Sequence, residues 1–301
     1  MPENFEKRDD RTGGELAELT KEIFGDERAL DELRQELSIP ERGIECSLEK
    51  VNFDKEENFN GLQVRAYFTE KINDASSPIG YFVFSFGKHC TVPQELYVEF
   101  GELVEEKQGK GLGIELECRI ENFCRQHNIW DIYNTPTSAP AGVFGKSKFI
   151  GGYVWACMGF NFDKLKEDAK NRMESWRNDI IEFAQNKKIF ILFDPLELTR
   201  PFEFANAMGL DEDNHIVNLG KKFFIDGEVK WRGHKDLRFN SQDTKDFVDY
   251  LMLRNMFDWV EEYFIKPLNP ERDQKFIDYL IPKLAEKNKV DLFTKHFPQN
   301  S

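Results

Sequence analysis

The strongest chemical signal in this chain is the run Gln108-Gly109-Lys110-Gly111-Leu112-Gly113, set between an apolar strand pattern, ELYVEFGELV, and a helical one, IELECRIENFCRQHNI. Consecutive backbone N–H groups at such a junction, with the positive end of a helix behind them, hold phosphate oxygens. Gly109, Gly111 and Gly113 lack the Cβ that would bar a pyrophosphate from close approach, and glycine accepts the positive φ that such a turn demands. An ordinary glycine-rich turn has the same composition, so the order of strand, turn and helix carries the reading more than the glycines do. Other reactive residue types are dispersed. His89, His127, His215, His234 and His296 form no HxxxH pattern and no histidine–carboxylate spacing, which predicts no metal site. Cys46, Cys90, Cys118, Cys124 and Cys157 are odd in number and contain no CxxC pair, against both a thiolate zinc site and a disulfide framework. Cys118 and Cys124 fall in one predicted helix and read as small buried hydrophobes. No GxSxG elbow or Cys-His signature supports a hydrolase of those kinds.

The glycine run needs a scaffold, and the flanking periodicities supply one. Leu16, Leu19 and Ile23, then Leu30, Leu33 and Leu37, recur at helical spacing until Pro40 stops the pattern. From Ile44 the period changes toward two, giving ECSLEKVNF, GLQVRAYFTE and IGYFVFSF as three antiparallel strands separated by the turn-like EENFNG and KINDASSP. ELYVEFGELV is the fourth strand. After the helix come a short strand, IWDIYN, a mixed segment from Thr135 to Ile150, and GGYVWACMGFNF. The segment Thr135 to Ile150 is either a lid over an acceptor site or a flexible insertion. Beyond Phe162 a charged helix, KLKEDAKNRMESWRNDIIEFAQNKK, opens a mainly helical region closed by helices near 243 to 265 and 271 to 287. Three stretches follow from this: a helical segment over 1–43, an α+β domain over 44–162 and a helical accessory region over 163–301.

Strand, QGKGLG and helix together resemble the GNAT N-acetyltransferase superfamily, whose pyrophosphate loop reads Gln or Arg, two residues, Gly, one residue, Gly or Ala. Gln108, Gly111 and Gly113 match it, and IWDIYN and Met158-Gly159-Phe160 stand where that family has its next strand and Gly-Phe element. QGKGLG followed by GGYVWACMGFNF is also similar to a divergent GNAT-like module of bacterial multidomain and toxin-associated proteins. The resemblance implies a GNAT-like mixed, mostly antiparallel sheet flanked by helices. It also implies acetyl-CoA as cosubstrate, lying in a splay between the Leu96 to Val104 strand and the Ile129 to Tyr133 strand. The pyrophosphate would rest on Gln108, Gly109, Lys110, Gly111, Leu112 and Gly113. Leu103 and Val104 would line the cofactor from the strand, which lends a backbone amide to the thioester carbonyl. Glu99 or Glu102 would be the base that frees the amine, and the two point to opposite faces if the strand is regular; solvent-facing carboxylates are the alternative. Where many family members carry a tyrosine acid this chain has Trp155, whose indole N–H has no useful acidity, so Tyr153 would be the acid unless both are core aromatics. Asn134 would contact the pantetheine arm, or else close a turn.

Composition limits the partners. With 55 acidic against 41 basic residues the net charge is -14, a field that repels phosphate backbones, so nucleic acid is not expected, while an amine or a lysine-containing protein is drawn in. No stretch approaches the ~20 apolar residues of a membrane span and the first residues hold no apolar signal core, so no membrane partner is expected and a cytoplasmic location is, although export by a leaderless machine would leave the same sequence. The expected activity is acetyl transfer to an amine. The competing expectation is a GNAT-fold module without catalysis whose helical half serves a protein partner, and an effector of unrelated chemistry ranks behind both.

Overall fold

The computed structural model describes residues 13–52, 59–72, 75–89, 95–107, 110–134, 151–162, 169–227, 229 and 231–297. They form a mixed α+β protein in two compact units, the first holding the described residues up to Asn134 and the second those from Gly151 onward. The sequence expectation placed a boundary at Phe162. Here Gly151 to Phe162 belongs with the second unit, because its helix packs against that unit's helices Pro201–Ala205, Leu219–Asp226 and Gln242–Leu253.

In the first unit, helices α1 (Gly13–Phe24) and α2 (Ala29–Leu37) precede strands β1 (Ile44–Asn52), β2 (Phe59–Ile72), β3 (Ala75–His89) and β4 (Glu95–Leu103), helix α3 (Leu112–Gln126) and strand β5 (Asp131–Asn134). β1 to β4 are successive antiparallel neighbours, and β5 joins β4 in parallel. The period of two in GLQVRAYFTE is realised side chain by side chain: Leu62, Val64, Ala66 and Phe68 are buried, and Gln63, Arg65, Tyr67 and Thr69 half-exposed. Phe86 of β3 meets Phe24 of α1 and Phe123 of α3 at ring distances of 5.0 and 6.0 Å, so α1 and α3 cover the same face of the sheet. The hairpin β2–β3 is longer than expected. Residues of EENFNG and KINDASSP extend the strands, with Pro78, which has no N–H to give, accommodated beside a bulge at Phe68/Thr69.

The second unit contains α4 (Gly151–Cys157), β6 (Asn161–Phe162), α5 (Ala169–Asn186), β7 (Phe190–Ile191), α6 (Pro201–Ala205), β8 (Met208–Leu210), β9 (Ile216–Asn218), α7 (Leu219–Asp226), β10 (Gly233–Asp236), α8 (Gln242–Leu253), α9 (Phe257–Val260), α10 (Gln274–Glu286) and α11 (Asp291–Thr294). Its core is aromatic: Trp176 of α5 packs edge-on against Phe162, Phe204, Phe224 and Trp231. The helix expected over 243 to 265 ends at Leu253. Asn255, in the left-handed region at φ 57, turns the chain before α9. No helix among the described residues is long and apolar enough to cross a membrane.

Candidate functional site

The glycine run leads where the sequence places it, from β4 into α3. Gly111 occupies the N-cap with φ 81 and ψ -7, a left-handed conformation that a β-carbon would strain. The first in-helix acceptor is its carbonyl, which takes the Glu115 N–H at 3.0 Å. The amides of Leu112, Gly113 and Ile114 therefore precede any i-4 carbonyl and form the donor end of the helix. Gly113 has neither a positive φ nor a crowded surrounding: a Cβ there would meet only Leu103 Cδ1, at 3.8 Å. Nothing among the described residues requires that glycine, which leaves the space beside it for a ligand. Lys110 is exposed beside this end, and Gln108 and Gly109 lie outside the described residues.

α3 is held firmly behind its donor end. Arg119 donates to Glu36 O at 3.1 Å and pairs with Glu115 and Glu41, while Arg42 also reaches Glu115 at 3.2 Å. Glu121, wholly buried, takes a 2.8 Å bond from Arg125. Buried carboxylates survive only when paired, and these glutamates were not singled out from the sequence. The helical pattern IELECRIENFCRQHNI gives its polar positions to water, but the structure buries most of the helix circumference.

β4 carries a bulge. Its register with β3 runs Phe84↔Val98 and then Val83↔Phe100, which leaves Glu99 as an extra residue without a partner on β3. On the other side, β4 pairs in parallel with β5 from Glu95↔Asp131 to Val98↔Asn134, and β5 is described only as far as Asn134. The bulge removes the premise of a regular strand on which Glu99 and Glu102 were assigned to opposite faces, and their side chains lie outside the described part of the structure. Leu103 pairs with Gly80, and the Val104 N–H is already given to Ile79 O at 2.8 Å, so that amide is committed to the fold.

Asn134 closes the arrangement. It lies in β5, as the last described residue of that strand. Partner by partner, a single row crosses the sheet: Val64, Phe84, Val98, Asn134. All four are buried, on the face that α3 covers, and the row is apolar until its last member. The Asn134 amide is 5 % exposed, and neither its Oδ1 nor its Nδ2 has a hydrogen-bond partner among the described residues. A buried amide left unsatisfied costs roughly 1–3 kcal/mol, so an Asn in this place calls for an explanation that packing does not give.

Comparison with protein-family models finds no match to this chain, and comparison with curated proteins finds none.

Tyr153 and Trp155 lie on α4 in the second unit. The Tyr153 phenol is pushed above its usual range by burial and by its hydrogen-bond partner Cys157, whose own thiol burial pushes up to about 12. Trp155 packs edge-to-face on Phe160 at 4.9 Å. Cys118 and Cys124 are wholly buried. The described residues also contain a group of metal-ligand type, Asp211, Asp213 and His215, which is the turn between β8 and β9. There Asp211 Oδ1 accepts from the Asp213 and His215 N–H groups at 3.0 and 2.8 Å, bonds that hold its carboxyl below the usual range and that close the turn.

Gly113→Ala separates packing from ligand binding. With Leu103 Cδ1 as its only neighbour among the described residues, the variant should fold as well as the wild type, gaining up to ~1 kcal/mol of helix propensity. Its affinity for a diphosphate ligand should fall by about tenfold because the new methyl stands over the helix amides. Isothermal titration with CoA, beside a thermal melt, reads both. Unchanged affinity would place the diphosphate elsewhere.

Proposed function

We propose that the first unit binds acetyl-CoA in the manner of a GNAT N-acetyltransferase and that the protein transfers the acetyl group to an amine. The observation that carries this is the buried Asn134 amide, without a hydrogen-bond partner among the described residues, at the end of the described β4–β5 pairing. A side-chain amide offers one acceptor and two donors, the complement of the secondary amides along a pantetheine arm. Such an arm would meet Asn134 first, follow β4 toward its Leu103 end, and bring its diphosphate to the α3 donor end at Gly111 to Ile114.

The chemistry follows the same line. The neutral amine attacks the thioester carbonyl, charge gathers on oxygen and is met by a β4 backbone donor, the C–S bond breaks, and the thiolate takes a proton. An amine of pKa near 10.4 must first shed a proton, and Glu99, at the bulge, or Glu102 is the proposed base. The acidic surface favours a cationic acceptor, either a small amine or a lysine of a protein, and we place the reaction in the cytoplasm. Tyr153, which holds its proton tightly, is poorly suited to protonate the thiolate.

That property of Tyr153, with Trp155 engaged on Phe160, favours one second reading, a module that binds acyl-CoA without transferring it. Titration with CoA and acetyl-CoA tests the shared part, with micromolar binding expected, and absence of heat at millimolar ligand removes both readings. Thiol release with a panel of amines then divides them. Turnover that Glu99→Gln or Glu102→Gln abolishes supports transfer, and none with any amine supports binding alone.

A further inference from the structure

Five of the six large apolar side chains exposed among the described residues gather on the small sheet β7–β8–β9 and the turn after β7: Phe190 (71 % exposed), Leu192, Leu196, Met208 and Ile216 (69 %). The register brings them together. Phe190 lies opposite Leu210, and Leu210 opposite Ile216, so the three form one row on one face. Two residues on from Phe190, Leu192 gives its N–H to Met208 O at 3.2 Å and begins a second row on that face, since side chains i and i+2 point the same way. The opposite face is closed: a Cβ on Gly209 would stand 2.4 Å from Ile189 Cγ2 and 3.7 Å from Leu219 Cβ. Single exposed apolar residues are ordinary, but a contiguous set on one face marks a contact surface.

Charge indicates what covers it. The segments that carry the face also carry Asp194, Glu197, Asp211, Glu212 and Asp213, against Lys187 and Lys188, and Glu212 already holds the Lys188 ammonium at 2.9 Å. A second copy would set acidic rim against acidic rim in a chain of net charge -14. Sheet extension is equally poor, because β7 spans two residues and β9 three, too short a ladder to recruit a strand. We propose that this face docks a partner protein through an amphipathic segment, with apolar side chains on Phe190, Leu192, Met208 and Ile216 and flanking lysines or arginines on the acidic rim.

The test uses the full chain and a fluorescein-labelled amphipathic helix of leucine and lysine, about five turns long, read by anisotropy. A leucine–glutamate peptide and a lysine–serine peptide are the controls. The leucine–lysine peptide should bind at least about tenfold more tightly than either. Phe190→Ser with Ile216→Ser should weaken it by about tenfold or more, and Glu212→Lys with Asp213→Lys by about fivefold, both with unchanged circular dichroism because all four side chains are exposed. Equal binding of the three peptides, or binding that the serine pair leaves intact, overturns the proposal. Two further outcomes also overturn it: a dimer in sedimentation velocity that the serine pair abolishes, which gives the face to a second copy, or phosphatidylcholine vesicle binding lost in the same chain, which gives it to lipid.

Discussion

A chain carrying Asn134→Leu should be more stable than the wild type without ligand and should gain far less stability from CoA than the wild type does. In the free protein the side chain ends an apolar row, Val64, Phe84 and Val98, with two polar atoms that have no partner among the described residues. Leucine has the same branched layout of four side-chain heavy atoms and no polar atom, so the exchange removes a desolvation cost of roughly 1–3 kcal/mol, less the strain of seating two bulkier methyl groups. Hydrogen exchange of the β4, β5 and α3 amides reads this locally. CoA then stabilises the two chains unequally. The wild type gains about 2.7 kcal/mol at a hundredfold excess over Kd, whereas the variant faces the ligand's amides with a methyl group, loses at least ~30-fold in affinity and gains only about 0.9 kcal/mol at the same concentration. That difference in the CoA-induced gain is the diagnostic, since a merely structural asparagine would leave the gain the same in both chains. A variant less stable than the wild type without CoA would mean the amide is already satisfied, and equal CoA affinity would separate Asn134 from the ligand.

How much of this could be read from residues alone differs element by element. The apolar alternation of β2 and the strand–glycine–helix order at Gly111 are local patterns, and the structure holds them where the sequence places them. The bulge at Glu99 left no such trace. Its cause is a register difference between β3 and β4, a relation between two strands, and EFGELV reads as regular alternation until the partner is known. Asn134 was visible as a residue of interest, but its significance lies in burial at the end of a row assembled from four strands. The buried glutamates of α3 were hidden for the same reason: Glu115 and Glu121 look like a solvated face until Arg42, Arg119 and Arg125 are seen to hold them. The limit of α4 is a strictly local signal: Gly159 of Met158-Gly159-Phe160 has a folding role within the second unit.

That role predicts a large loss for Gly159→Ala. The Gly159 N–H bonds to Ala156 O at 3.2 Å and the Phe160 N–H to Trp155 O at 3.2 Å, the paired bonds that end a helix on a left-handed residue, here at φ 84. The usual apolar contact across such an end is present as the Trp155–Phe160 ring pair. Conformational strain alone would cost about 1–2 kcal/mol. The greater cost is steric, because a Cβ at Gly159 would lie 2.2 Å from the Asp243 carbonyl oxygen and 3.3 Å from Phe247 N, both backbone atoms of α8 that move only with the helix. Opening α8 there would also uncover Phe247, which is fully buried. We expect Gly159→Ala to destabilise the second unit by roughly 3–5 kcal/mol, measured by urea unfolding followed through tryptophan fluorescence. Gly25→Ala is the control: it has a similar φ of 81 but no atom within 4 Å of its would-be Cβ, so it should cost only about 1–2 kcal/mol. If the two substitutions cost the same, the approach of α8 to the end of α4 is looser than these contacts require.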